Sequence, residues 1–213
     1  MSQPQGAPST GFADAAAVWN QRFEADGYLF GQEPNQWLRD HAGIWPRAGR
    51  ILSVADGEGR NSVWLARQGF EVDAFDVADV GVAKARRLAA AAGVTVRFEV
   101  ADCDSYAWPV ASFDGVAAIF VQFADPALRE RLFARMVASL KPGGVLVLQG
   151  YTPRQLEYRT GGPPCASHLY TEALLRQSFA PLEILTLQDY EADLHEGTGH
   201  LGRSALIGLV ARR

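Results

Sequence analysis

Two hydrophobic periods share this chain. Between residues 51 and 150, short apolar runs near 51–55, 71–76, 94–99, 113–120 and 144–150 have the length and β-branched content of strands. Stretches of helical spacing lie between them, near 61–68, 80–92 and 126–140. Upstream, Phe12, Ala16, Trp19 and Phe23 recur at helical intervals and predict a helix over 13–25. Pro34 suits the first turn of a second helix running to about His41, because its missing N–H is not needed there. Gly43, Pro46 and Gly49 punctuate the chain before the first strand.

Alternating strands and helices favour a parallel sheet covered on both faces, with any ligand at the carboxyl ends of the strands. The rhythm changes after Gly150. Residues 182–190 and 205–211 read as strands, but 191–204, with Gly197, Gly199 and Gly202, offers no helical crossover. Parallel neighbours need such a crossover, so these two strands are expected to form an antiparallel edge. The segment 151–170 shows little helical pattern and reads as a long loop at the ligand end.

Composition narrows the picture without redirecting it. A chain of 213 residues with 48% hydrophobic content suits one large core. The expectation is a tail without order at 1–11, then one domain over 12–213 with an N-terminal helical lid at 12–45. A net charge of −4 with scattered basic residues gives no footprint for nucleic acid. No apolar run approaches the roughly 18 residues of a membrane helix, and the first residues lack the features of a secretory signal. A cytoplasmic enzyme acting on a small molecule is expected, with the oligomeric state open.

The candidate chemistry starts at Ile51-Leu52-Ser53-Val54-Ala55-Asp56-Gly57-Glu58-Gly59-Arg60-Asn61, an apolar run broken by a glycine-rich turn and followed by a helix start. Asp76 closes the next strand about 20 residues on, the spacing at which a carboxylate reaches ribose hydroxyls. Asp76 is alternatively a helix cap. Asp102 can cap the turn that follows it, and Cys103 suits either packing or contact with a cofactor. Trp19 and Phe23, four apart, face one way and favour packing. Tyr28 and Phe30 fall in an expected loop and are better lid candidates, while Arg22 meets either a ligand carboxylate or solvent. Asp114 lies before the fourth strand, opposite the ligand end, and is expected to be structural.

With Ala101-Asp102-Cys103 after the third strand and Leu140-Lys141-Pro142-Gly143-Gly144 before the fifth, the order resembles the class I S-adenosylmethionine-dependent methyltransferases over about residues 12–213. Three stretches, Trp19-Asn20-Gln21-Arg22-Phe23, Tyr28 to Asn35 and Gly57 to Asn61, look like the branch that includes the bacterial tellurite-resistance and thiopurine methyltransferases. The resemblance implies a Rossmann-like seven-stranded α/β sheet, mostly parallel, with an antiparallel C-terminal edge pair and helices on both faces. S-adenosyl-L-methionine is the implied cofactor. Gly57 and Gly59, with Ala55 beside them, would face its methionine part together with Trp19, Arg22 and Tyr28. Asp76 with Val77 would hold the ribose, Asp102 and Cys103 would border the adenine, and Val121 and Gln122 would flank the methyl.

For the acceptor, Arg154, Tyr158, Arg159 and His168 of the long loop are candidates. His195, His200 and Arg203 fall in the glycine-rich connection. His168 or His200 is a candidate general base and Arg203 a further catalytic candidate. Cys165 and the histidines show no tight ligand spacing, so no metal is expected. The resemblance favours a soft thiol or chalcogen oxyanion as acceptor. The competing readings are an NAD-dependent oxidoreductase, whose G-x-G-x-x-G/A fingerprint would have Ser62 at its last position, and a non-catalytic S-adenosylmethionine-binding protein.

Overall fold

The computed structural model describes residues 12–213; the expected tail at 1–11 and the side chains of residues 12–14 lie outside the described residues. Seven strands form one sheet: β1 (Arg50–Val54), β2 (Glu71–Asp76), β3 (Arg97–Val100), β4 (Phe113–Ile119), β5 (Leu140–Tyr151), β6 (Glu183–Glu196) and β7 (His200–Arg212). Their order is β3-β2-β1-β4-β5-β7-β6. β1 to β5 pair in parallel, and β7 runs antiparallel between β5 and β6. This is the Rossmann-like sheet with the antiparallel edge that the missing crossover predicts.

The helices are α1 (Phe12–Phe23), α2 (Gln36–His41), α3 (Arg60–Arg67), α4 (Asp79–Ala92), α5 (Pro126–Ser139), α6 (Gln155–Tyr158) and α7 (Glu172–Ser178). Successive strand residues face opposite ways, so each strand feeds two cores. Leu52, Val116, Leu146 and Leu209 join Phe133 and Met136 of α5 and Leu175 of α7 on one side. Ile51, Ala117, Val147 and Val210 join Leu38 of α2 and Leu65 of α3 on the other. Asp114 accepts from the Arg50 N–H and Lys141 Nζ, each at 2.8 Å, and locks the end of the sheet away from the ligand side.

Four sequence expectations need correction. Pro34 precedes α2 instead of opening it; Asn35 is the cap, its side chain accepting from the Leu38 N–H. The third strand starts at Arg97, later than expected. The segment 151–170 contains α6 and a short 3-10 turn at Ala166–His168, and α7 follows on a Thr171 cap.

The largest difference concerns the last hairpin. Glu196 pairs with His200, so the strands extend almost to the turn, and only residues 197–199 form the connection. His195, His200 and Arg203 therefore sit on strands, where alternation sends them to fixed faces. Among the described residues, no helix is long and apolar enough to cross a membrane.

Candidate active site

The loop after β1 is set by three residues with positive φ, Ala55 (49°), Gly57 (62°) and Gly59 (91°). Gly59 is the N-cap of α3, and a Cβ there would lie 2.8 Å from the Ala85 Cα of α4. Its lack of a side chain thus serves the fit between α3 and α4. Gly57 faces the tip of β2: its N–H donates to Asp76 Oδ2 at 2.9 Å, while Oδ1 of the same carboxylate accepts from the Ala78 N–H at 2.9 Å.

Two backbone donors hold Asp76 at the tip of β2 with lone pairs to spare. Burial nevertheless pushes its carboxyl up to about 6, against the pull of the Ala78 and Gly57 N–H groups. Asp56 has a different task. Its carboxyl accepts from Ser53 Oγ at 2.7 Å, the Ser62 N–H at 3.3 Å and Ser62 Oγ, and so staples the loop to the first turn of α3. Burial raises its pKa as well.

A crevice of about 720 Å³ opens over the carboxyl ends of the strands, well within the size of small-molecule sites. Ala55, Gly57, Asp76, Val77, Asp102, Cys103 and Gln122 line it, and α1 contributes Trp19 and Arg22. Asp102 also caps its turn, accepting from the N–H groups of Asp104 (2.7 Å) and Ser105 (2.8 Å). Cys103 is buried, and burial raises its thiol to about 12, so it is a neutral wall. The Gln122 amide is occupied by the backbone: Nε2 donates to the carbonyls of Tyr151 (2.9 Å) and His168 (3.2 Å), and Oε1 accepts from the Tyr151 N–H. It clamps the ends of β4 and β5 together.

Four of the residues expected to hold the cofactor or act in catalysis lie outside this lining. Gly59 faces α4. Val121 is buried in the core beneath the crevice. Tyr28 sits beside Lys84, whose Nζ is 5.8 Å from its ring centroid. Arg203 is exposed on β7 and bonds Glu191 of β6 at 2.7 Å, because its strand position points it away from the crevice. Arg154 and Arg159 flank α6 on the surface, Arg154 pairing with Glu191 and approaching the Tyr158 ring at 5.8 Å, and His195 is exposed. No group of three or more His, Cys, Asp or Glu among the described residues is arranged to hold a metal.

The far half of the crevice is aromatic, and sequence reasoning missed its centre, Phe120. Its backbone is left-handed (φ 55°), a costly conformation for a bulky residue and one that gathers at functional sites. The turn presents the Phe120 ring to Tyr151 (centroids 4.7 Å apart) and His200 (4.3 Å), and Phe30 of the loop after α1 packs on His200 at 4.5 Å. An aromatic just past an apolar strand reads as core in a sequence, and nothing in the local pattern signals the turn. His168 lines the same half, its Nδ1 bonded to the Gln122 carbonyl at 3.0 Å.

His200 is buried, with Nδ1 3.3 Å from Glu196 Oε2. The same oxygen accepts from Arg60 Nη2 at 2.7 Å, and Oε1 accepts from Asn35 Nδ2 at 2.9 Å. Glu196 is held down to about 2: His200 and Arg60 outweigh its burial. Burial lowers the His200 pKa, with Glu196 opposing and Arg60 adding to the fall.

The N-terminal segment is fastened at several points. Asn20 of α1 bonds Asp79 (2.5 Å) and the Val80 N–H (3.1 Å) at the start of α4. Lys84 Nζ donates to the carbonyls of Ala25 and Gly27 and to Glu58, whose other oxygen accepts from the Leu29 N–H at 2.7 Å. The Leu29 carbonyl accepts from the N–H groups of Thr198 and Gly199, at 3.0 Å each, so the tip of the last hairpin rests on the loop after α1.

Residues 51–144 match the family model of a methyltransferase domain. A demethylmenaquinone methyltransferase of Thermus thermophilus is 37% identical over 106 residues, 49% of this chain and 48% of that protein. The chain thus aligns with about half the length of that curated relative. Among solved structures, one described for the conversion of a disulfide bond into a thioacetal group during echinomycin biosynthesis superposes with a TM-score of 0.77 at 19% identity, covering 95% of this chain and 91% of that one. TehB from Haemophilus influenzae gives a TM-score of 0.67 at 17% identity, covering 83% and 61%. The fold is that of the class I S-adenosylmethionine-dependent methyltransferases, residues 51–144 are similar to a methyltransferase domain within it, and S-adenosylmethionine is the cofactor that this match implies.

Proposed function

We propose that this protein transfers the methyl group of S-adenosylmethionine to a small-molecule acceptor bound in the same crevice. The observation that carries the reading is the Gly57–Asp76 clasp: a carboxylate fixed by two backbone donors, with acceptor capacity left over at the tip of β2. Spare lone pairs of that kind suit a pair of ribose hydroxyls. Bound there, S-adenosylmethionine supplies a methyl carbon on a positively charged sulfur, open to displacement by an in-line nucleophile.

The chain's own residues then hold and enclose. Asp76 and Val77 bind the ribose, and Asp102 and Cys103 border the adenine. Trp19 and Arg22 face the methionine end, the guanidinium placed to meet a carboxylate. Phe30, Phe120 and Tyr151 exclude water from the reacting end. Fixing two reactants in line is the main lever for such a transfer, worth several kcal/mol or more.

The acceptor end does not support a chalcogen oxyanion or other anionic partner. Aromatic rings wall it, and its cation Arg60 is already engaged by Glu196. A planar, mostly apolar acceptor fits such walls, in keeping with the relative named for demethylmenaquinone. The TehB likeness concerns the fold alone. The nicotinamide reading is not favoured, since the antiparallel β7 and the methyltransferase-domain match both point elsewhere.

Titration calorimetry with S-adenosylhomocysteine tests the site. The wild type is expected to bind, and Asp76→Ala to weaken binding by about 10- to 100-fold, the loss of hydrogen bonds to a charged group. Absence of binding, or equal binding by the variant, overturns the reading. Binding without S-adenosylhomocysteine release on any acceptor, cell extract included, would favour the non-catalytic alternative.

A further inference from the structure

His200, Glu196 and Arg60 form a chain of contacts that cofactor binding does not require. Glu196 is ionised, so it accepts, and the proton in its contact with His200 sits on Nδ1. The imidazole is then the Nδ1–H tautomer, with its lone pair on Nε2. Nε2 has no hydrogen-bond partner among the described residues, and the ring lines the crevice between Phe30 and Phe120. Glu196 itself also accepts from Arg60 and Asn35, one on each oxygen, which fixes its direction.

From this geometry we infer that His200 is the general base of the transfer, with Glu196 and Arg60 as positioning residues, and that the acceptor is a hydroxyaromatic which loses its O–H proton as it is methylated. The inference rests on the methyl-transfer reading and deepens it. An acceptor arriving already ionised has no use for a carboxylate-oriented imidazole. A planar phenol lies between the rings with its hydroxyl toward Nε2.

In the step, the O–H proton passes to His200 Nε2 while an electron pair of the oxygen forms the bond to the methyl carbon, or that of a conjugated ring carbon does, in which case the oxygen becomes a carbonyl until the ring C–H proton leaves to water and the oxygen takes one back. The carbon–sulfur bond breaks with its electrons on sulfur, leaving neutral S-adenosylhomocysteine. Glu196 stabilises the imidazolium until its proton goes to water. His168 lines the same half, but its Nδ1 bonds a neutral carbonyl, which offers an imidazolium less support.

The charged and titratable groups around His200 are Glu196 of β6, Arg60 of α3, Arg22 of α1 and Tyr151 of β5. Of these, only Glu196 favours the protonated ring at neutral pH. Glu196→Gln should therefore move the acidic limb of kcat to lower pH.

The test pairs kinetics with nitrogen NMR of the wild type and of His200→Gln, His168→Gln and Glu196→Gln. Naphthohydroquinone, kept reduced, and thiophenol serve as acceptors, and calorimetry follows S-adenosylhomocysteine binding separately. His200→Gln is expected to lower kcat on naphthohydroquinone by about a hundredfold or more, at least tenfold beyond its loss on thiophenol, and the remaining rate should rise with pH. S-adenosylhomocysteine binding should change by less than about threefold, the range of an unbroken cofactor site. Wild-type His200 should show a protonated Nδ1 and a bare Nε2 near neutral pH, a readout that holds even where a variant does not fold.

An Nε2–H tautomer, a larger loss in His168→Gln, or an acidic limb unmoved in Glu196→Gln overturns the assignment. Wild-type silence on naphthohydroquinone with S-adenosylhomocysteine bound overturns the acceptor class. Failure to bind S-adenosylhomocysteine instead removes the methyl-transfer reading beneath it.

Discussion

Asp76 meets two opposed demands. Enclosure at the tip of β2 penalises its charge and lifts its pKa to about 6, whereas ribose hydroxyls need an ionised acceptor. Because the folded pKa lies above the ordinary carboxylate value of 3.8, this group's contribution to the stability of the empty protein is full below that value and is lost as pH rises through about 6. Ligand binding runs the other way. Affinity for S-adenosylhomocysteine should be flat above neutrality and fall below about pH 6, approaching tenfold per unit where Asp76 alone controls it. Calorimetry across this range on the wild type checks it; affinity that holds level down to pH 5 would mean that the carboxylate does not carry the ribose.

At the level of elements, the N-terminal segment proposed as a lid is held to the sheet by a charge pair between α4 and the loop before α3. The side chains of Lys84 and Glu58 are 10% and 3% exposed and 2.8 Å apart, and Lys84 also holds the Ala25 and Gly27 carbonyls. Breaking such a pair from one side strands a buried charge, so Lys84→Met should cost about 3–5 kcal/mol in urea unfolding. Glu58→Gln with Lys84→Met should recover part of that; a double variant as unstable as the single would show that the carbonyl contacts, and not the charges, fasten the lid. Nothing in the sequence marks this pair, since Glu58 reads only as a spacer between two glycines and Lys84 as the polar face of a helix. The parallel half of the sheet was legible because each strand is an apolar run between turn signals. The last hairpin was legible only in part: Gly197, Gly199 and Gly202 suggest a long loop, while pairing carries the strands through Gly202 to His200. That misreading hid the facing of the three residues concerned, for one position along a strand decides whether a side chain meets the crevice, as His200 does, or solvent, as Arg203 does. Phe120 and α7 were missed for a related reason, an apolar residue or a short helix having no local pattern distinct from core.

Across the whole molecule, the crevice is assembled from pieces far apart in the chain: α1 and the loop after it, the strand ends of β1 to β5, and the tip of the β6–β7 hairpin. The lid and the hairpin tip meet through the Leu29 carbonyl, which takes the amides of Thr198 and Gly199. A ligand that touches Trp19 and Arg22 on one side and Asp76 on the other therefore stabilises contacts it never makes itself. At a hundredfold excess over its dissociation constant it should add about 2.7 kcal/mol, equivalent to a rise in melting temperature of roughly 5–11 °C for a protein of this size. NAD at the same concentration should give none of this. Amide exchange separates coupling from simple occupancy. If lid, sheet and hairpin close as one, S-adenosylhomocysteine slows exchange at Thr198 and Gly199 as well as at Gly57, although the hairpin amides belong to the lid contact and not to the adenosyl end. Protection confined to Gly57 and its neighbours would mean that the ligand fills the strand ends alone, leaving the aromatic half open to the water that methyl transfer must exclude.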